Sequence, residues 1–363
     1  MTPAPDMPLA DSDQANSTSA DRAARFSSLR AGLQVPVVCA PMFLVTGPEM
    51  VVAACRAGIV GALPAANARP IEVLDDWMRS IAEQLQAAKD AGQNVAPWAF
   101  NLMTHSTNTR LNDELALVAR YRPPVVITAL GSPKPAIEVV HAYGGLVIGD
   151  VVNIKLAKKA AAAGVDGLAC ISSGAGGHTG SLSPFAFVSA IRSFYDGPIV
   201  LGGGISDGFG VAGAIAAGAD LVYMGTRFIA CKESRAADAY KRMLVECDID
   251  DLIVSASITG TPASWLKPSL AAAGLDPENL PVPGARNYDA NRPITARRWV
   301  DTWSAGQGVG MVNRIAPMAE IVETLKQDFT KAQDRFRRLH PIGSGDAPRN
   351  LPQSPSVADR SHA

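Results

Sequence analysis

Eight short apolar runs recur between residues 35 and 225, and the stretches between them carry helical patterns. The runs are VPVVCA (35–40), IVGAL (59–63), PWAFNL (97–102), VVITAL (125–130), GLVIGD (145–150), DGLACI (166–171), PIVLGG (198–203) and DLVYMG (220–225). Each is rich in Val, Ile, Leu or aromatic residues, which suits a strand of a parallel sheet buried on both faces. The intervening segments 72–92, 153–164 and 207–218 end in Gly just before the next run. A helix C-cap feeding a strand has that form. Eight strands alternating with helices predict an α/β fold closed as a (β/α)8 TIM barrel. An open doubly wound sheet would carry its glycine-rich phosphate loop after the first strand. Here the richest glycine segments come late.

Hydrophobic residues make up 47% and charged residues 18%, enough apolar material for a large core and too little charge for a disordered chain. Residues 1–23 and 341–363 are polar and read as flexible tails. The barrel is expected over 24–232 and 312–340. Its last helix is predicted over 319–339, and residues 233–311 form a mostly helical cap on the substrate side, inserted before that helix. Lys plus Arg is 33 against 34 for Asp plus Glu, a net charge of −1, which does not suit a nucleic-acid partner. No apolar run is long enough for a membrane span, and the N-terminus lacks the apolar core of a signal peptide. Cys39, Cys55, Cys170, Cys231 and Cys247 are odd in number and contain no CxxC pair. They are expected as buried thiols in a reducing, cytoplasmic compartment, without a disulfide framework or a zinc site. No metal site is expected elsewhere.

In such a barrel the chemistry sits at the C-terminal ends of the strands. Gly202-Gly203-Gly204-Ile205-Ser206-Asp207-Gly208 follows the seventh run, and Met224-Gly225-Thr226-Arg227 follows the eighth. Glycine lets backbone N–H groups approach a phosphate, and these two loops are the usual phosphate grip of this fold. His178 lies in the glycine-rich segment 172–180 after the sixth run, where a histidine can face a ligand and act as a general base. His105, after the third run, is a second candidate. His141 in a helical pattern, His340 at the end of the last helix and His362 in the tail are weaker ones. Ala40-Pro41-Met42-Phe43 after the first run and Asn101 at the end of the third offer backbone groups and an amide to a planar heterocycle. Gln307 lies in a second glycine-rich segment, 304–310, at the return from the cap; those glycines also suit a plain turn.

The order Ala40-Pro41-Met42, Asn101, Ala175-Gly176-Gly177-His178, Gly203-Gly204-Ile205, Met224-Gly225-Thr226-Arg227-Phe228 and Ala305-Gly306-Gln307 resembles the nitronate monooxygenases, formerly called 2-nitropropane dioxygenases. The resemblance spans most of the chain between the two tails. It implies non-covalent FMN, its phosphate at Gly203–Gly204 and Gly225–Thr226 and its ring over the barrel mouth near Met42, Asn101 and His178. Ala40, Pro41, Gly176, Gly177 and Met224 complete the implied cofactor set, and His105 and Gln307 are weaker candidates for cofactor or substrate. It also implies oxidation of an alkyl nitronate, or its nitroalkane, with O2 to a carbonyl compound and nitrite. His178 would orient the nitronate or remove the α-proton of the neutral nitroalkane. FMN-dependent enoyl-acyl-carrier-protein reductases and NADH:quinone oxidoreductases share the scaffold, so reduction of a quinone or an enoyl thioester by NAD(P)H is the alternative. A homodimer is left open. Two positions depart from the family pattern: Gly174 stands where many relatives have an acid or amide, and Asp150 where some have lysine.

Overall fold

The computed structural model describes residues 18–281 and 299–339. The apolar runs form β1 (Val37–Cys39), β2 (Val60–Pro64), β3 (Trp98–Met103), β4 (Val125–Ala129), β5 (Leu146–Val151) and β6 (Gly167–Ile171). A two-residue strand, β7 (Gly177–His178), follows, and then β8 (Ile199–Gly202) and β9 (Leu221–Met224). All of these except β7 pair in parallel, and β9 closes on β1, so the eight strands make a closed barrel. The expected fold is the observed one.

Alternation along each strand divides its side chains between two cores. Val60, Ala62, Ala99, Ile127, Ile148, Val200 and Leu221 point inward and fill the barrel. Leu63, Phe100, Val126, Leu168, Leu201 and Val222 point outward under the helices. Burial on both sides accounts for the nearly continuous apolar character of the runs. The final helix, Met318–Leu339, packs on the helix Gly208–Ala216 so closely that a Cβ at Gly208 would stand 2.2 Å from the Phe329 nitrogen. All five cysteines are free and buried. Among the described residues no helix is long and apolar enough to cross a membrane.

Two expectations need correction. The N-terminal tail expected to residue 23 gives way to a helix at Ser19–Ala31. Thr18 caps it: its side chain accepts from the Asp21 N–H, and the Asp21 carboxylate accepts from the Thr18 N–H. The polar composition hid an apolar stripe, Phe26, Leu29 and Leu33, that packs onto the inward-facing core at the N-terminal end of the barrel. Arg22 pairs with Asp166 and Arg30 with Asp220, fixing the helix to the loops before β6 and β9. The second correction concerns 233–311. Besides the helices Asp238–Glu246 and Lys267–Ala272 it holds β10 (Leu252–Ser255) and β11 (Ala263–Leu266), an antiparallel pair. The β-branched residues of LIVS and the Trp of ASWL favour a pleated, partly buried surface over a helix. β7 joins β11, giving a small sheet in the order β10-β11-β7. Residues 1–17, the tail from 341 and His340 and His362 lie outside the described residues.

The terminal helix closes the bottom of the barrel mainly through Phe26, which is buried. Phe26→Ala should therefore cost about 3–5 kcal/mol of stability, the usual range for a buried Phe. Urea denaturation measures it; a loss below about 1 kcal/mol would show that the helix is dispensable.

Candidate active site at the barrel mouth

Five segments meet at the C-terminal end of the barrel, and backbone hydrogen bonds join them. The carbonyl of Gly174, in the loop after β6, accepts from the Gly204 N–H at 3.0 Å and from the Gln307 N–H at 2.9 Å. The Gly306 N–H donates to Thr226 Oγ1 at 2.8 Å in a buried bond. The loops after β6, β8 and β9 are thus tied to the return from the cap. The loop after β1 joins at Ala40, whose N–H donates to the Met224 carbonyl. It also meets Gly225, where a Cβ would stand 3.3 Å from Met42 Sδ.

Several glycines are demanded by these contacts. Gly203 and Gly204 have φ of +139° and +69°, a region L side chains rarely adopt. A Cβ at Gly203 would stand 2.1 Å from Ser172 Oγ, which donates to the Gly202 carbonyl at 2.6 Å. Gly203 is therefore required by packing inside the protein. Gly204 is exposed and faces open space except for Gln307. Gly174 also has a positive φ, +83°, and a Cβ there would stand 2.7 Å from Gln307 Oε1. The side chain missing at Gly174 thus leaves room for Gln307.

His178 lies on β7, and its backbone pairs with Ala263 of β11. The pairing, rather than the glycines alone, sets its position. Its ring meets Trp299 edge-on, with centroids 5.6 Å apart, and Trp299 stacks on Trp265 at 4.5 Å. The residue is exposed at the rim, while desolvation by the surrounding chain lowers its pKa below the ordinary histidine value. Neutral imidazole, the form a base needs, is favoured there.

The other predicted residues fall in different places. Ala40, Pro41 and Met42 are half-buried in the loop after β1. Asn67 shapes that loop: its amide donates to the carbonyls of Met42 and Thr46, and its Oδ1 accepts from the Leu44 N–H. Asn101 Nδ2 donates to the Ile127 carbonyl at 3.3 Å. The Met224 side chain is buried in the outer core, under the helices, away from the mouth. Gly176 is exposed, and Gly177, with φ of +68°, lies against Trp299. Gln307 is exposed beside Gly204. His105 lies in the loop after β3 with its Nδ1 2.8 Å from Thr107 Oγ1. His141 lies in the helix Lys134–Ala142 and bonds Asp166 at 2.8 Å, a structural role. Sequence reasoning missed Asn67, Trp265 and Trp299. Trp299 belongs to the RRWVDTW segment, where two tryptophans four positions apart in a loop-rich stretch are the signal.

The chain is similar to known proteins in sequence and in fold. A family model described as nitronate monooxygenase matches residues 27–328. The chain belongs to the nitronate monooxygenase family. Among its relatives is the nitronate monooxygenase of Paraburkholderia phytofirmans, 27% identical over 85% of this chain and 96% of the relative. A second is a (3aS,4S,5R,7aS)-5-hydroxy-7a-methyl-1-oxo-octahydro-1H-indene-4-carboxyl-CoA dehydrogenase of Rhodococcus jostii, 29% identical over 74% of this chain and 73% of the relative. In fold the chain is similar to a nitroalkane oxidase from Streptomyces ansochromogenes, with a TM-score of 0.72 at 22% identity, covering 86% of this chain and 99% of that one. This member of the nitronate monooxygenase family is an oxidoreductase, and oxidation of nitronates is its family's reaction. The family implies a flavin cofactor.

The buried bond from Gly306 N–H to Thr226 Oγ1 joins the loop after β9 to the return from the cap. Thr226→Val, close in shape, leaves that donor unsatisfied and should cost about 1–3 kcal/mol. Thr226→Ser should keep most of the stability. Equal denaturation midpoints for wild type and Thr226→Val would show that the bond does not hold the loops.

Proposed function

We propose that this chain binds FMN at the barrel mouth and oxidises alkyl nitronates with O2, giving a carbonyl compound and nitrite. The observation that carries the reading is the joining of the loops after β6, β8 and β9 through Gly174 O and Thr226 Oγ1, with His178 at the same rim. The fit to a flavin monophosphate rests on two features. Gly204 and Gly225 present backbone without side chains at the ends of β8 and β9, Gly204 beside open space. Buried polar atoms inside the mouth, taken up below, suit a heterocycle with polar edges.

Gly203, Gly204, Gly225 and Thr226 would hold the phosphate. Ala40, Pro41, Met42, Asn101, Gly176 and Gly177 would surround the ring. Met224 would contribute only its backbone, since its side chain is in the outer core. The flavin supplies the electron transfer; the protein supplies orientation and electrostatics. His178 is the proposed base. In neutral form it takes the α-proton of a nitroalkane at a ring nitrogen, and with a preformed nitronate it orients the anion. Trp299 meets one side of the His178 ring edge-on. His105 and Gln307 stay secondary candidates at the rim. The five free, buried cysteines suit a reducing cytoplasm.

The test compares reductants under anaerobic conditions. Added nitronate should bleach the flavin, with nitrite released once O2 is admitted, and NADH should do so slowly. Fast bleaching by NADH without reaction of the nitronate would assign the chain to NAD(P)H-dependent reduction of a quinone or enoyl thioester.

His178→Asn should retain flavin and lose activity on neutral nitroalkane by about 10²–10⁴-fold, with a smaller loss on preformed nitronate. Comparable kcat/KM to wild type on both substrates would leave His178 as a loop brace. Because desolvation lowers its pKa, the base is lost only as pH falls through a value below ~6.5. Wild-type kcat/KM for the neutral substrate should therefore decline on the acid side with an inflection below that value. An inflection above ~7 would assign the profile to another group.

A further inference from the structure

Among the described residues, two buried polar atoms inside the barrel have no hydrogen-bond partner: Asp150 Oδ1 and Tyr223 Oη. Both side chains belong to inward-facing rows. Asp150 follows Leu146 and Ile148 at two-residue spacing on β5, and Tyr223 follows Leu221 on β9; all three apolar residues sit in the interior core. The polar pair continues those rows to the C-terminal ends of the strands, which form the mouth. Every inward position below them is apolar, so the barrel does not need polar groups there to close. Asp150 and Tyr223 are half-buried, but leaving a buried carboxyl oxygen and a phenol hydroxyl without partners is unfavourable unless a group from outside the chain completes their bonding. Asn101, near the C-terminal end of β3, has its amide committed to the Ile127 carbonyl.

We propose that Asp150, with Tyr223 on β9 in the same mouth, meets the flavin ring from inside the barrel, its carboxyl uncharged and donating a hydrogen bond to a ring nitrogen or carbonyl. This rests on the FMN reading above. The ring's polar edge offers several acceptors and a single N–H, so a neutral acid finds more partners than a carboxylate does. The groups around Asp150 agree. Its register partner on β6 is Ala169, and Ala129 ends β4 one residue past the Thr128–Gly149 pair; neither is charged. The titratable groups in electrostatic reach, Cys170 on β6 and Tyr223 on β9, are both held neutral by burial. Among the described residues no ion pair reaches Asp150, and desolvation raises its pKa to about 7. Binding that selects the protonated carboxyl must take up a proton above that pH. Affinity then falls by up to about tenfold per pH unit.

Equilibrium release of FMN from the full-length holoprotein on dilution, read by flavin fluorescence between pH 6.5 and 8.5, tests this. The wild type should lose affinity above pH 7 relative to Asp150→Asn, whose amide is a neutral donor at every pH. The FMN phosphate titrates alike in both proteins, so the ratio of their dissociation constants isolates residue 150. A ratio that does not change with pH would overturn the proposal, because a merely structural role for Asp150 predicts that result. So would a wild type that gains affinity as pH rises, since a carboxylate would then be accepting from the ring N–H. If Asp150→Asn does not fold, wild-type affinity for riboflavin, which has no phosphate, gives the same reading: a decline above pH 7 supports the proposal and a flat profile overturns it. Absence of bound FMN at any pH removes the FMN reading and this inference together; bound FMN with a constant ratio removes this inference alone.

Discussion

One backbone carbonyl, that of Gly174, accepts from Gly204 and Gln307 and so binds the loops after β6 and β8 to the return from the cap. The barrel closes by strand pairing alone; this bond joins loops that the pairing leaves separate. Closure depends on strand pairing and on two apolar cores, which leave the loops at the C-terminal end free to vary. The Gly174 bonds and the Thr226–Gly306 bond turn separate loops into one surface. The cap adds a second constraint: β11 takes up β7 and holds His178 at the rim. Displacement of the cap would therefore move the proposed base as well as open the site.

Desolvation acts on His178 and Asp150 in the same sense. It lowers the pKa of His178 and raises that of Asp150 to about 7, so both favour their neutral forms. A neutral base can accept a proton, and a neutral acid can donate a hydrogen bond to a heterocycle without placing negative charge beside it. The low-dielectric interior that stabilises the barrel thus also sets the protonation states of its mouth.

The barrel was legible in the sequence because its strands are buried on both faces and read as continuous apolar runs. The glycine loops were legible for a related reason: Gly203, Gly204 and Gly174 adopt positive φ, and glycine tolerates that conformation best. Gly203, though, answers to Ser172 packing as much as to any ligand. The helix Ser19–Ala31 escaped because only Phe26 and Leu29, with Leu33 just past its end, meet the core from within a polar stretch. β7 escaped because a two-residue strand has no periodicity; its partner lies more than eighty residues away in β11. Trp299 escaped because its contact with His178 exists only after the cap folds over the barrel. Asp150 was visible as a departure from the family pattern, but its burial and unpartnered Oδ1 appear only when the inward rows are assembled.

The central claim is that the mouth is built for a flavin monophosphate, and the absorbance spectrum of the purified full-length protein tests it most directly. The account predicts the visible absorbance bands of an oxidised isoalloxazine and release of FMN, identified by chromatography after heat denaturation. Release of FAD, or a colourless protein that takes up no FMN when it is supplied, would contradict it.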